Sequence, residues 1–341
     1  MEFSFFFPTK QTGHHVLGCL MQGLVQLGHK VFSNIPVSMI RSTGIGRPFS
    51  EFHSEDIEIT SDLSKGHLIV DAFDGLGPFT KTLTESAKRN KIVLINMNDA
   101  VGWVDYDDNF LVFAGHFNRF AQRHGRIFPI GFGVSQEAIE LSNQYEFVER
   151  ADGILRNFRP SYGQSVRNSL DLSLIPKLAK YFSITDKISL PEQYIQNLKT
   201  HKACLSYCGD FYRDLRLNPW FLEHAKDNSL SFKKLANEPV ILRFDSWRYY
   251  EAALFGTCPI TLDFEKYGLD TSSNPTAWKE YIPIDLSELD ANVLKMVSSI
   301  NDDPMYFERI GSNARDWVMQ NHSPKATALR VLDTMQAEGF L

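Results

Sequence analysis

Residues 242–261 read Leu-Arg-Phe-Asp-Ser-Trp-Arg-Tyr-Tyr-Glu-Ala-Ala-Leu-Phe-Gly-Thr-Cys-Pro-Ile-Thr and bring together groups that can hold a phosphorylated ligand. Asp245 or Ser246 can cap a helix N-terminus. Such an end offers backbone N–H groups and the positive pole of the helix dipole, and both favour an anion. Arg243 and Arg248 bracket it and can add forked donors to the same anion. Glu251, one turn further on, can accept hydrogen bonds from a ribose diol. Trp247, Tyr250, Ala253 and Leu254 supply a buried stripe, Gly256 a stop, and residues 258–262 the strand that follows.

Other residues invite chemistry with less definition. Gly13, His14 and His15 sit at a strand-to-helix turn, where one histidine can act as a general base near neutral pH. The plain alternative is that one caps the helix and the other is a surface residue. Asp71, Asp74 and Asp99 follow expected strands and can deprotonate a hydroxyl, or simply cap helices. Asp105, Asp107 and Asp108 have the Asp-x-Asp look of a metal motif, although a run of acids in a loop is usually solvated. Tyr207, Tyr212 and Arg213 follow a strand and can frame a base or a phosphate, or pack beneath a loop. Cys204 and Cys208 lack Cys or His partners at zinc spacing, so the four cysteines read as ordinary thiols and no metal site is expected.

These groups need elements to position them. A strand at residues 3–7, a polar turn at 9–13, a helix carrying Val16, Leu17, Leu20, Leu24 and Leu27 up to Gly28, and a strand at 30–32 open a βαβ unit. Strands at 67–72, 92–96, 110–114 and 127–130 and a helix at 81–88 extend it. A charged connection falls at 135–152. A second α/β set follows: strands at 153–158, 203–207 and 258–262, helices at 165–178, 191–199, 246–255, 289–300, 304–319 and 324–337, and an ambiguous segment at 240–244. This implies an α/β protein of two Rossmann-like domains facing across a cleft. Residues 1–140 form the first domain, 150–320 the second, and 321–341 a C-terminal helix returning to the first.

The segment Arg-Tyr-Tyr-Glu-Ala-Ala-Leu-Phe-Gly-Thr-Cys-Pro-Ile at 248–260 resembles the C-terminal-domain motif of GT-B glycosyltransferases, Arg/Lys-x-x-Glu-Ala-hydrophobic-x-x-Gly-x-x-Pro-Val. Within that group the likeness is to CgeB-like and exostosin-like transferases. The Asp303-Pro304 to Asn313-Ala-Arg and His322-Ser stretch is similar to their ending, and Gly13-His-His with Leu27-Gly-His-Lys-Val to their opening. Residues 135–240 carry no such likeness. The resemblance implies transfer of a sugar from a nucleotide-diphosphate donor, without a further cofactor or a metal, to a glycan or small-molecule acceptor. It places Glu251 on the donor ribose and the donor on the second domain, with Arg243, Asp245, Ser246 and Arg248 around it. An Arg/Lys pair on the diphosphate is implied too, with Arg156, Arg213 and Arg243 as candidates. Catalysis is expected from His14, His15, Asp74 or Asp99, with Gly13 in the loop near phosphate or acceptor.

Composition restricts the alternatives. The chain has 341 residues, enough for two cores, and a net charge of −6 that disfavours nucleic acid as a partner. No run of about 20 apolar residues can span a membrane, and the opening reads as a strand rather than a signal peptide. A cytoplasmic protein is expected, with peripheral membrane contact compatible. A dehydrogenase is disfavoured because no Gly-x-Gly-x-x-Gly follows the first strand. A sugar-nucleotide epimerase or hydrolase, and a catalytically silent sugar-nucleotide-binding protein, are the competing readings.

Overall fold

Short runs of aromatic and β-branched residues become the strands of two parallel sheets. The computed structural model describes residues 1–8, 14–40, 56–62, 64–73, 79, 81–83, 91–98, 109–121, 126–144, 150–159, 165–186, 191–212 and 240–341. These divide into one unit of Met1–Gly115, Arg123–Gln144 and Met319–Leu341, and another of His116–Gln122 and Tyr145–Val318.

In the first unit, β1 (Glu2–Phe6), β2 (Lys30–Ser33), β3 (Ile57–Ile59), β4 (His67–Asp71), β5 (Ile92–Asn96), β6 (Phe110–Ala114) and, after the second unit's β7 (Phe117–Asn118), β8 (Ile127–Pro129) build one sheet. Its order is β3-β2-β1-β4-β5-β6-β8 and every pairing is parallel. β5 and β6 are buried at every position, the pattern of strands covered on both faces. The chain winds outward in both directions from β1 and β4, so the switch point lies between them, at their C-terminal ends.

Helix α1 (His15–Gln26) follows β1, and the expected apolar positions Val16, Leu17, Leu20 and Leu24 are all fully buried. It ends before Gly28, whose φ of 78° only glycine adopts freely. The last helix of the chain, Pro324–Ala337, packs against α1 within this unit. The approach is close at Gly23: a Cβ there would overlap the Pro324 carbonyl and lie 2.8 Å from Ala328 Cβ.

In the second unit the parallel order is β10-β9-β11-β14-β16, from β9 (Ala151–Arg156), β10 (Ser183–Asp186), β11 (His201–Leu205), β14 (Cys258–Leu262) and β16 (Ile282–Ile284). Here the switch point lies between β9 and β11. Two antiparallel pairs complete the unit: β12 (Asp210–Tyr212) with β13 (Val240–Leu242), and β15 (Leu269–Asp270) with β7. The segment expected as one helix over 165–178 is two, α3 (Val166–Ser173) and α4 (Ile175–Leu178), after α2 (Gln136–Asn143) of the first unit. Pro176 in the first turn of α4 has no N–H to continue the ladder of α3. Helices α5 (Pro191–Thr200), α6 (Trp247–Leu254), α7 (Leu289–Asp302) and α8 (Tyr306–His322) follow, and the C-terminal helix is α9. α6 is anchored by its rings: Tyr249 and Tyr250 pack on Trp317, and Tyr249 on Phe264 and Tyr281.

The tight α1–α9 contact gives a test. Gly23→Ala should destabilise the protein by about 1–3 kcal/mol, the range for overpacking a filled interface. A chemical-denaturation midpoint unchanged from the parent would contradict the packing described for α9.

Candidate functional site

Two arginines and a buried glutamate come together at the switch point of the second sheet. β9 ends at Arg156 and runs out into Asn157 and Phe158, and β11 into Ser206 and Tyr207. Two arginines reach these strand ends from two helices. Arg248, in the first turn of α6, donates Nε–H to the Asn157 carbonyl at 2.7 Å. Arg167, in the first turn of α3, directs its Nε to the Tyr207 carbonyl at 3.4 Å and lays its guanidinium over the Phe158 ring at 5.0 Å. Neither arginine forms an ion pair with a carboxylate among the described residues. Burial holds the Arg167 guanidinium below its ordinary pKa, and the charge of Arg248 adds to the effect, against Cys208, Tyr207 and Asp171. Two cations thus stand near each other beside a helix N-terminus, an arrangement that an anion would relieve.

Glu251 lies one turn along α6 and is 4% exposed. Its Oε2 accepts from the Tyr194 hydroxyl at 2.7 Å, and its Oε1 is buried with no hydrogen-bond partner. Burial pushes this carboxyl up to about 7, opposed by the Tyr194 hydrogen bond and the charge of Arg248. Ser246 occupies the N-cap position, yet its side chain accepts no hydrogen bond from the first turn. Asp245, also buried, donates its backbone N–H to His116 Nδ1 at 3.2 Å and accepts from the Ser246 N–H at 3.1 Å. Arg243, His116 and Ser272 all adopt positive φ, at 55°, 54° and 75°. Such conformations in side-chain-bearing residues are costly and gather at functional loops.

Two of the expected diphosphate ligands are engaged within the protein. Arg156 is bound by Asp171 through Nε at 3.1 Å and Nη2 at 2.5 Å, and by Asp186 through Nη1 at 2.7 Å. Asp171 also accepts from the Tyr207 hydroxyl at 3.3 Å. Arg243 pairs with Asp210 at 2.9 Å. Arg213 lies outside the described residues, as do Gly13, Asp74, Asp99, Asp105, Asp107 and Asp108. Among the described residues no group of three or more His, Cys, Asp or Glu could hold a metal. Sequence reading passed over Arg167, Tyr194, Asn157 and His116. The only signal for Arg167 was its place at the start of the helix after the first strand of the second unit.

In the first unit the two adjacent histidines part company. His15 is 4% exposed, its Nε2 stands 3.1 Å from Cys19 Sγ, and burial, helped by the charge of His14, drives its pKa down to about 3. It is a core residue. His14, at the N-cap position of α1, is half-buried and stacked between Phe73 at 5.1 Å and Phe132 at 5.7 Å. Asp71, at the end of β4, is buried and accepts from the Phe73 N–H at 3.0 Å, forming a local turn.

No family model matches the chain, and no curated protein matches it by sequence. Solved structures do match. An alpha-glucosyltransferase in complex with UDP and a 13-mer DNA containing a HMU base has a TM-score of 0.53 at 9% identity, covering 98% of this chain and 99% of that one. A second, with UDP and a 13-mer DNA containing a central A:G mismatch, gives 0.52 at 10% identity with the same coverage. A third, with UDP-glucose and DNA containing an abasic site, gives 0.51 at 8%. At such identities the likeness is one of fold, and the fold is α/β with parallel Rossmann-like sheets, of the GT-B type. No helix among the described residues is long and apolar enough to cross a membrane.

The raised Glu251 carboxyl carries a stability signature. Between about pH 4.5 and about pH 7 the folded state keeps a proton that the unfolded chain gives up, so stability falls as pH rises through that window. Glu251→Gln removes this term. The unfolding temperature of the variant should therefore gain on the parent from pH 4.5 to pH 7 and hold a constant lead above it. A difference that does not vary with pH would show that Glu251 titrates normally.

Proposed function

We propose that the protein is a glycosyltransferase that moves a sugar from a nucleotide-diphosphate donor to a glycan or small-molecule acceptor. The observation that carries this is the pair Arg167 and Arg248. Both are tethered by Nε to the carbonyls of the strands that flank a switch point, and neither is neutralised by a described carboxylate. Ligands of parallel α/β sheets collect at such points. Arg167 takes the place that the sequence resemblance offered to Arg156, because Arg156 is already held by Asp171 and Asp186. Glu251, with its unpartnered oxygen, is the proposed acceptor of hydrogen bonds from the ribose. The solved alpha-glucosyltransferases, in complex with UDP or UDP-glucose, agree in kind with this ligand class.

Chemically, the acceptor oxygen attacks the anomeric carbon as its bond to the donor diphosphate breaks. The acceptor proton passes to a base, and the nucleoside diphosphate leaves with the accumulating negative charge. Arg167, Arg248 and the N-terminus of α6 would stabilise that charge in place, without a metal. His14 is the proposed base, since His15 is enclosed in the core of the first unit. The CgeB-like and exostosin-like likeness of the C-terminal motifs, a cytoplasmic location and the absence of a further cofactor belong to the same proposal. The solved alpha-glucosyltransferases above are in complex with DNA; for this chain the net charge of −6 favours an acceptor other than nucleic acid.

The test is a thermal-shift and calorimetric screen against nucleoside diphosphates and UDP-glucose, followed by an acceptor panel that includes duplex DNA. Arg167→Ala and Arg248→Ala should each weaken binding by about 1.5–3 kcal/mol, or roughly 10- to 100-fold, with circular dichroism unchanged. No stabilisation of the parent by any nucleotide or sugar nucleotide would sink the proposal. Product formed without an acceptor would replace it with an epimerase or hydrolase, and binding without turnover with a silent sugar-nucleotide binder.

His14 and His15 should differ in kind. His14→Ala should lower kcat about 100-fold or more with donor affinity little changed, whereas His15→Ala should act on stability. Full turnover in His14→Ala would return the base to a carboxylate such as Asp74 or Asp99. Activity should also survive excess EDTA; complete loss restored by magnesium or manganese would bring back the Asp105 and Asp107 reading.

A further inference from the structure

The donor-site proposal leaves the buried hydroxyl of Tyr194 without a role. Tyr194 lies on α5 with Ile195 and Leu198, all three buried, and α5 packs along β11. Its hydroxyl crosses to α6 and donates to Glu251 Oε2 at 2.7 Å, while Oε1 of the same carboxyl remains without a partner. A carboxylate oxygen that is buried and unmatched costs the fold free energy unless something supplies a donor to it. A single hydrogen bond on one oxygen also fixes the plane of the carboxyl, and so the direction of the other.

We propose that Tyr194 is a positioning residue for donor binding: its hydroxyl holds Glu251 by Oε2 so that Oε1 is oriented to accept from a ribose hydroxyl. This rests on the nucleotide-sugar reading above. The charged and titratable groups that face Glu251 are Tyr194 from α5, Cys204 from β11 and Arg248 from α6 itself. Burial, followed by the Glu251 charge, pushes the Tyr194 phenol well above its usual value, so it remains a proton donor throughout the working range. The Cys204 thiol is pushed up to about 12, chiefly by burial, and stays neutral. Arg248 is held by the Asn157 carbonyl. Ionisation of Glu251 therefore depends on Tyr194 and Arg248 against desolvation, and removing the tyrosine hydroxyl should make ionisation harder.

The experiment uses Tyr194→Phe, which keeps the ring and its packing, with Glu251→Gln and the double variant. Calorimetry with UDP-glucose between pH 5.5 and pH 8.5 reads binding, and the difference in unfolding temperature between each variant and the parent, without ligand, reads the titration of Glu251. The expected result is that parent affinity rises with pH through about 7. Tyr194→Phe should bind roughly tenfold more weakly at pH 7, with the midpoint of that rise displaced to higher pH. The double variant should be little worse than Glu251→Gln alone, as expected for two groups acting as one. A merely structural tyrosine would lower the unfolding temperature and leave the midpoint where it is.

Parent-like affinity and midpoint in Tyr194→Phe beside a weakened Glu251→Gln would overturn this inference and leave the donor site standing. Additive losses in the double variant would overturn it too. Failure of the parent itself to bind would instead remove the donor-site reading, and with it this role for Tyr194. A shifted titration of Glu251 in ligand-free Tyr194→Phe would then mark the pair as a core hydrogen bond only.

Discussion

The hydrogen bond from Arg248 Nε to the Asn157 carbonyl fastens the first turn of α6 to the end of β9. The site in the second unit depends on it. A parallel strand ends in carbonyls, and at a switch point the two neighbouring strands send their chains to opposite faces. The gap is polar and open to whatever element can reach it. Here an arginine reaches it, and by using Nε for the carbonyl it keeps both terminal nitrogens for other work. Arg167 makes the weaker counterpart on the Tyr207 carbonyl across the same gap. Hydrophobic anchoring makes this precise at a distance: Tyr249 and Tyr250 lock α6 against Trp317, so the helix cannot slide to relieve the two adjacent cations.

Arg156 clarifies the contrast. Two arginines lie over Phe158, the guanidinium of Arg156 at 4.5 Å and that of Arg167 at 5.0 Å. Arg156 is tied by two aspartates, which makes it part of the scaffold, with burial opposing and both carboxylates favouring its charge. Arg167 is pulled toward the neutral form by burial and by Arg248. Asp171 and Glu251 lie near enough to act on these charges, but neither forms an ion pair with Arg167 or Arg248 among the described residues. Tolerance of an unmatched pair is what a site for an anionic ligand would be expected to show.

Some of this was legible in the sequence, and the limit is physical. The helix at 247–254 with its flanking arginines, the motif glutamate and the strand of residues 258–262 were readable because capping, helical periodicity and the glycine stop are local signals. The two sheets were readable from continuous apolar runs such as Ile92–Asn96. Arg167 was not, because nothing local distinguishes an arginine on a helix facing a strand end from one facing solvent. For the same reason the sequence left Arg156 among three candidates, because its partners Asp171 and Asp186 lie 15 and 30 residues away. Tyr194 was invisible because its partner is 57 residues on. β10 and β16 were missed as short strands at the two edges of the sheet, one of them half-polar and the other carrying Pro283.

His14 and His15 show how far adjacent residues diverge once a helix begins between them. His15 enters α1 and its side chain turns into the core, where water is absent and protonation is suppressed down to about pH 3. That term adds stability above about pH 6.5 and withdraws it as the pH falls toward 3, because the unfolded chain then takes up a proton the folded one refuses. Glu251 acts in the opposite sense, favouring the folded state at low pH and losing that advantage as the pH rises to about 7. The two buried groups act on the fold with opposite signs over overlapping windows below about pH 7. The direction of the cost at Glu251 is informative: the fold is weakened as the carboxyl approaches the ionised form that a ribose hydroxyl would meet. Burying that carboxyl beside one tyrosine hydroxyl and one arginine keeps it close to its transition near pH 7, where a ligand donating to the free oxygen would draw it to the charged state.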